Sequence, residues 1–430
     1  MQTVRNKEQT MQPLQQSNTT HVLKHDVVIV GGGSAGIAVA SSLLARSPYL
    51  NLVIIDPAET HYYQPGWTMV GGGIFKVEST GRAMSDVIPV GANWIKQAVA
   101  AFEPEKNQLI LQNGQQVEYQ SLIVCPGLVL NWNAIEGLSE TLGKNGVTSN
   151  YRQDLAPYTW QLVQQLKQGK AIFTQPPMPI KCAGAPQKAL YLSSDYWLKN
   201  NVLNNIEVNF YNAGAVLFGV KEYVPALMEY MQRYKAHLHF EHKLVKVDGA
   251  SKTAWFEVKK DGETTQVSTQ FDMLHVVPPQ HAPDFIRHSA FADAAGWFEV
   301  NPETLQHPRY ANVFGLGDVI SASNAKTAAA ARKQAPIVAV NVLTYLKGRS
   351  DFCHYDGYGS CPLTVERGKI VLAEFGYGGK LLPSFPRWLC DGQKPTKLAW
   401  FLKARMLPEI YWKGMLKGHE WLVKPKRHAA

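Results

Sequence analysis

The sequence predicts an α/β fold of two Rossmann-like domains followed by a C-terminal region of different character. Three observations predict it. A strand, a glycine-rich turn, a helix and a second strand follow one another near the N-terminus. A late apolar strand runs into a Gly-x-Gly-Asp turn and a long alanine-rich stretch. Between these two parts lies a β-rich middle. The length agrees, since the chain has 430 residues and one core rarely grows past ~250–300. Apolar residues make up 45% and charged residues 18%, which fits a globular protein rather than a disordered one.

The first part begins with Asp26-Val-Val-Ile-Val30, an apolar run that ends in Gly31-Gly-Gly-Ser-Ala-Gly36. An alanine- and leucine-rich segment to Arg46 reads as helix, and Leu52-Val-Ile-Ile-Asp56 as a parallel strand. Together they form a βαβ unit. Gly31, Gly33 and Gly36 fit G-x-G-x-x-G. The first glycine permits the tight turn, the second lets a pyrophosphate approach the backbone, and the third lets helix and strand pack closely. Ser34 and Ala35 stand where the helix opens, with free N–H groups and the positive end of its dipole. Asp56 lies 20 residues past Gly36 at a strand end, where a carboxylate accepts hydrogen bonds from ribose hydroxyls. Val27 to Ala45 carries no charge, but its four glycines and strand-like start suit a nucleotide turn better than a membrane span.

Later strands are expected at Trp94–Phe102, Gln108–Leu111 and Leu122–Cys125. The last lies in Tyr119-Gln-Ser-Leu-Ile-Val-Cys-Pro-Gly127, which resembles the strand-to-glycine segment that closes the FAD domain of two-domain flavoproteins. In the middle, Gln161–Gln168 reads as helix and Lys170–Thr174 as strand. Ile206–Tyr211, His239–Val247, Ala254–Val258 and Met273–Val277 continue as strands. Asn312–Phe314 is the late strand before Gly315-Leu-Gly-Asp318, and Lys326–Leu346 is a helix that Pro336 should kink or interrupt. The expected division is a disordered tail over 1–25, a nucleotide-binding domain from 26–130 and 290–350, a second Rossmann-like domain over 131–289, and a C-terminal region over 351–430.

Gly315-Leu-Gly-Asp318 resembles the turn of two-domain flavoproteins whose aspartate bonds the ribityl chain of FAD, so FAD is the expected cofactor. A pyridine-nucleotide domain would need a second glycine fingerprint. After Lys170–Thr174 the chain instead reads Gln175-Pro-Pro-Met-Pro-Ile-Lys-Cys-Ala-Gly184, and Gly214-Ala-Val-Leu-Phe-Gly219 lacks the middle glycine. No NAD(P)H pocket of the usual kind is expected, and the reductant must be something else.

Net charge is +9, which points to an acidic or anionic partner. From Arg387 to Arg427 there are ten Lys/Arg against three Asp/Glu. Two stretches there mix aromatic and basic residues, Lys397-Leu-Ala-Trp-Phe-Leu-Lys-Ala-Arg-Met406 and Tyr411-Trp-Lys-Gly-Met-Leu-Lys417. They are too short to span a bilayer but suit helices lying in the headgroup plane, so a membrane-associating C-terminal region is expected. A helix packed on the body with a basic outer face is the alternative. No nucleic-acid module is present, and no such partner is expected. Residues 1–25 have no apolar h-region, and Arg5 and Lys7 before Glu8 make a poor presequence. Five scattered cysteines exclude a disulfide scaffold and suggest a reducing compartment, where a functional pair would be a redox device. The histidines, His275 and His281 among them, show no metal spacing, and no metal is expected.

Pro179-Ile-Lys-Cys182-Ala-Gly-Ala-Pro-Gln-Lys188 and Tyr355-Asp-Gly-Tyr-Gly-Ser-Cys361-Pro-Leu363 resemble the two cysteine motifs of sulfide:quinone oxidoreductases, closest to the group that includes the animal mitochondrial enzyme. His61-Tyr-Tyr-Gln-Pro65 and Lys326-Thr-Ala-Ala-Ala330 are similar to that group too. The resemblance implies an FAD enzyme that oxidises hydrogen sulfide, reduces a membrane quinone and hands sulfur to a small acceptor such as sulfite or glutathione. It implies that hydrosulfide opens a Cys182–Cys361 disulfide, that Cys361 becomes the persulfide, and that Cys182 donates to flavin. Beyond Gly31, Gly33, Ser34, Ala35, Gly36 and Asp56, it places FAD against Gln64, Val99, Gly127, Asp318, Lys326, Thr327, Ala328 and Ala329. Lys181 either lowers the Cys182 pKa or is a solvated lysine. Cys125 reads as a buried packing residue, and Cys353 and Cys390 as incidental. The expected location is the cytoplasmic face of a bacterial inner membrane, with the mitochondrial inner membrane as alternative. A type II NADH:quinone oxidoreductase and a non-catalytic flavin-binding protein are the rival readings.

Overall fold

A computed structural model of the chain describes residues 22–260 and 262–425. Most of the expected N-terminal tail, residues 1–21, lies outside the described residues, as does the basic end of the chain, 426–430.

The strand Leu23–Val30 pairs in parallel with Leu52–Ile55 on one side and Gln116–Val124 on the other. Its second half, Val27 to Val30, is buried throughout, because helices cover both faces of a parallel sheet. Ala92–Ile95 extends the sheet beyond Leu52–Ile55. Beyond Gln116–Val124, the hairpin Val99–Glu103/Gln108–Leu111 pairs with its first half and Val313–Gly315 with its second. The uncharged stretch from Val27 is therefore part strand and part helix, the helix being Ser34–Arg46. A second helix, Ala328–Leu346, packs against it. That helix runs unbroken through Pro336, so the interruption allowed for by the sequence does not occur. Proline removes one rung of hydrogen bonding, but eleven of its nineteen residues, Pro336 included, are buried, and that packing keeps the helix continuous.

The second sheet has five parallel strands in the order Val147–Thr148, Met273–His275, Gly169–Gln175, Ile206–Asn212, His237–Phe240. Beside it, His242–Asp248, Thr253–Lys260 and Glu263–Gln270 form an antiparallel sheet. Two expected strands are each divided. Trp94–Phe102 breaks between Ile95 and Val99, and His239–Val247 breaks at Glu241, whose φ of 60° is left-handed. Glu263–Gln270 escaped the sequence reading because its residues are nearly all exposed, so it carries no alternating apolar signal. Val129–Leu130 and Gln280–His281 pair where the chain crosses between the two sheets.

The C-terminal region belongs to both cores. The hairpin Gly359–Glu366/Lys369–Phe375 puts Cys361, Leu363, Val365, Val371 and Ala373 into the core of the second sheet. The chain then returns, and Tyr411, Trp412, Met415 and Leu416 join the core of the first. This corrects the expectation for Tyr411–Lys417. Its large apolar side chains turn inward onto Ser34–Arg46 instead of outward to lipid. The Ser41 hydroxyl donates to the Leu416 carbonyl at 2.8 Å, and Arg46 grips Glu420 through two hydrogen bonds of 2.5 and 2.7 Å. Each large side chain so buried stabilises the fold by about 1.5–3 kcal/mol. Among the described residues no helix is long and apolar enough to cross a membrane.

Candidate functional site

The glycine turn has two closed positions and one open one. Gly31 sits at φ 107°, and a Cβ there would lie 2.6 Å from the Cys125 carbonyl oxygen. A Cβ at Gly36 would come within 1.8 Å of the Gly31 carbonyl oxygen. At Gly33 a Cβ would meet nothing within 4 Å. The open position is the one that lies before the free N–H groups of Ser34, Ala35 and Gly36. Asp56, at the end of its strand, accepts from the backbone N–H of Gly32 at 2.6 Å and of Ala58 at 2.7 Å. It therefore holds the turn as well as bordering it. Cys125 is buried beneath, its thiol donating to the Gly31 carbonyl at 3.5 Å, and burial pushes its pKa up.

The Gly315–Asp318 turn arrives from the same sheet. Gly317 is left-handed at φ 80°, and a Cβ there would stand 3.1 Å from that of Ala35. Among the described residues the partly buried Asp318 carboxylate has no hydrogen bond, and burial raises its pKa against the pull of Lys326 and Lys181. An open helix N-terminus and an unpartnered carboxylate suit a ligand carrying both phosphates and hydroxyls, as FAD does. Lys326 donates to the Asp318 and Ile320 carbonyls at 2.7 and 2.8 Å and lies 4.1 Å from the Trp297 ring centre. Burial pushes its pKa down to about 8. The Thr327 side chain accepts from the Ala330 N–H at 3.2 Å, so Ala328 and Ala329 open a second helix. Gly127, at φ 76°, has open space where a Cβ would be. Gln64 accepts from Lys181 Nζ at 2.7 Å. Val99 is buried at the head of its strand.

A second nucleotide fingerprint would follow Gly169–Gln175, in the loop that leads to the helix Ala185–Lys199. That loop instead carries Cys182 in a left-handed conformation, φ 49°, which costs a non-glycine residue about 1–2 kcal/mol. Several bonds hold it there. Cys182 N–H donates to the Lys326 carbonyl at 2.8 Å. The Tyr151 hydroxyl reaches the Lys181 and Cys182 carbonyls at 3.0 and 3.3 Å. Lys181 N–H donates to Gln280 at 2.7 Å.

Cys361 comes from the C-terminal hairpin, is buried, and stands near enough to Cys182 for the two sulfurs to influence each other's protonation. Lys188, in the first turns of Ala185–Lys199, donates to Cys182 Sγ at 3.1 Å. The Cys361 thiol first, then the Lys188 and Lys403 ammoniums, hold Cys182 well below the ordinary thiol range against its burial. Cys361 is pushed well above that range by the neighbouring Cys182 and by burial. The ammonium of Lys188 beside Cys182 Sγ thus favours a thiolate at Cys182 over one at Cys361.

Lys403 is only 4% exposed. It donates to the Pro65 carbonyl at 3.0 Å, and burial together with Lys188 pushes its pKa down to about 7. Lys181, for which two readings stood open, is tied to Gln64, lies 5.5 Å from the Trp67 ring centre, and is pushed down to about 8 by burial. The sequence reading passed over Lys188 and Lys403. Lys188 stands inside the first cysteine motif, one helical turn past Gly184. Lys403 lies four residues beyond the buried Ala399, on the same helical face. That spacing is a signal that a stretch read as facing lipid turns one lysine inward.

Known proteins resemble this chain in sequence and in fold. A family model described as pyridine nucleotide-disulphide oxidoreductase matches residues 25–165. The chain is 43% identical over 401 residues to the mitochondrial sulfide:quinone oxidoreductase of Dictyostelium discoideum, covering 93% of this chain and 87% of that one. It is 38% identical to the corresponding protein of Mus musculus, covering 92% and 87%. The structure superposes on that of the sulfide:quinone oxidoreductase from Aquifex aeolicus with a TM-score of 0.76, at 19% identity and 92% coverage of both chains.

Proposed function

The chain belongs to the sulfide:quinone oxidoreductase family, and we infer from this that it oxidises sulfide with FAD as cofactor, reduces quinone, and uses Cys182 and Cys361 as the sulfur-handling pair. The observation that carries the assignment of the pair is the Lys188 ammonium, 3.1 Å from Cys182 Sγ and on the Cys182 side of the pair, where a nucleotide loop would otherwise be. On this reading 26–130 with 290–350 form the FAD-binding domain, and 131–289 form a Rossmann-like domain whose nucleotide loop has become a cysteine loop.

Hydrosulfide attacks Cys361 Sγ of the oxidised pair. The S–S bond breaks, Cys361 carries the new persulfide, and Cys182 leaves as thiolate. Lys188, 3.1 Å from Cys182 Sγ, favours that leaving group. With Lys403 and Lys181 it also makes the pocket positive, which draws in hydrosulfide. The same charge favours an anionic sulfur acceptor, sulfite or a glutathione thiolate. When the acceptor takes the outer sulfur, Cys361 returns as a thiol. Bound FAD supplies the two-electron acceptor through which the pair is reoxidised and quinone reduced. Lys403, poised near neutral pH, can take up the proton released as the disulfide re-forms.

Lys403 also links the pocket to the protein's outer surface. On the same helical stretch Leu398, Phe401 and Met406 are 42%, 53% and 44% exposed, with Lys397 and Arg405 exposed among them. Trp388 and Leu389, earlier in the same C-terminal region, are also exposed. Such a face suits headgroup-level docking on a quinone-bearing membrane. The mitochondrial relatives favour the mitochondrial inner membrane over the bacterial cytoplasmic face.

An anaerobic titration tests the whole reading. Sulfide should bleach the flavin within the mixing time, a short-chain quinone should restore its colour, and NADH should do neither. Bleaching by NADH and not by sulfide would favour the type II NADH:quinone oxidoreductase. No bleaching by either would favour a non-catalytic flavoprotein.

A further inference from the structure

His61 stands in a conspicuous motif, yet the sulfide chemistry gives it no part. It is buried, and its ring lies between the glycine turn and the C-terminal segment. Nδ1 is 3.1 Å from the Gly32 carbonyl, and Nε2 is 2.6 Å from the Tyr411 hydroxyl. The Tyr411 hydroxyl is in turn 2.7 Å from Ser34 Oγ. Among the described residues its one other polar contact is a longer donation of 3.5 Å to the Tyr62 carbonyl. Trp412 packs edge-on against His61, with the Arg82 guanidinium 4.2 Å from its ring centre. The chain Gly32–His61–Tyr411–Ser34 thus begins and ends on the dinucleotide turn and passes through the C-terminal segment.

The partners fix which way each hydrogen bond runs. A carbonyl only accepts, so His61 Nδ1 carries a proton and donates to Gly32. With a neutral ring, Nε2 accepts, Tyr411 must donate to it, and Ser34 must donate to Tyr411. Ser34 then offers only lone pairs to the space before the helix, which repels a phosphate. With a protonated ring Nδ1 still donates to Gly32, and the two bonds beyond Nε2 reverse. Nε2 donates to Tyr411, Tyr411 donates to Ser34, and the Ser34 proton is free for an anion.

We propose that Tyr411 is a cofactor-positioning residue whose hydroxyl latches the C-terminal segment onto the dinucleotide turn and couples binding of the FAD pyrophosphate there to uptake of one proton by His61. The proposal rests on the FAD reading above. The groups that bear on His61 are Asp56, which favours its charged form, Arg82 across the strand pair and beyond Trp412, and the phenols of Tyr411 and Tyr63. Burial holds the unliganded ring neutral at pH 7, so the proton must be taken up from solvent when the anion arrives. FAD affinity should therefore rise as pH falls, by up to one power of ten per pH unit.

The test follows free FAD by its fluorescence on dilution of full-length holoenzyme between about pH 8 and 5.5. Wild type should bind FAD roughly ten-fold tighter at the acid end. Tyr411→Phe should bind it more weakly and with no such slope. Ser34→Ala, a small change at the other end of the chain, should flatten the slope in the same way even if Tyr411→Phe fails to fold. A flat wild-type profile, or a Ser34→Ala protein that keeps the wild-type slope, overturns the proposal. A wild-type protein that binds no FAD at all overturns instead the reading on which it rests.

Discussion

Cys182 and Cys361 are chemically alike in the sequence and opposite in the structure. Lys188 lies against Cys182 and favours its thiolate, while burial favours the thiol at Cys361. Both should be required, for different reasons. Cys182→Ser and Cys361→Ser should each lower sulfide-dependent turnover at least about 100-fold, because neither can form the disulfide that hydrosulfide attacks. Their spectra should differ. Cys361→Ser keeps the thiolate that can give a charge-transfer band with flavin, and Cys182→Ser loses it. Cys125→Ser should turn over nearly normally, at a stability cost of about 1–3 kcal/mol for an added buried hydroxyl. Steady-state rates and anaerobic absorption spectra of the three proteins decide the matter. Lys188 gives a pH prediction. The Cys182 pKa is depressed, so its thiolate persists as pH falls and is lost only below the folded-state value. Removing the Lys188 charge raises that value, so in Lys188→Met the charge-transfer band should disappear at a higher pH than in wild type. An unmoved midpoint would remove Lys188 from the thiolate's support.

At the scale of elements, the C-terminal stretch changes meaning most. Deleting residues 383–430 is the bluntest test of membrane docking. The structure makes that deletion uninterpretable, since it removes Lys403 from the thiol pocket and Tyr411, Trp412, Met415 and Leu416 from a core. The sharper variant is Leu398→Asp with Phe401→Asp, on the outer face of the same helical stretch. Each apolar side chain lost to an interface weakens partitioning by about 1.5–3 kcal/mol. Vesicle binding of the double variant should therefore fall at least about 100-fold, while sulfide still bleaches its flavin. Undiminished sedimentation with anionic vesicles would sink the docking face.

Over the whole molecule, the pocket is assembled from distant parts of the chain. Cys182 comes from the second sheet's loop, Lys326 from the first domain, Cys361 from the hairpin and Lys403 from the returning segment. Folding of both cores and docking of the C-terminal region are prerequisites of chemistry, and FAD bound among them stabilises the assembly by mass action. At FAD one hundred-fold above its Kd the gain is about 2.7 kcal/mol. Flavin-free protein should therefore melt several degrees lower, and added FAD should restore the loss in a concentration-dependent way. Calorimetry of the two forms measures it, and equal melting temperatures would deny that FAD binds the folded state.

The sequence by itself determined what local periodicity and short motifs encode: the glycine turn with Asp56, the Gly315–Asp318 turn, the missing second fingerprint, and the family likeness of the two cysteine segments. Gly31 and Gly36 are legible because no other residue tolerates their backbone approach. Tertiary structure alone decided which side of an amphipathic, basic stretch is the inside. Lys403 and Phe401 lie two residues apart, and it is packing that turns Lys403 into the protein and leaves Phe401 to solvent. Helix Ala328–Leu346 stayed whole across Pro336 because long-range packing outweighs one lost rung. The polarity of the cysteine pair was equally out of reach. A thiol's pKa is set by the charges around it, and those around Cys182 come from Lys188, near in sequence, and from Cys361 and Lys403, roughly two hundred residues away along the chain.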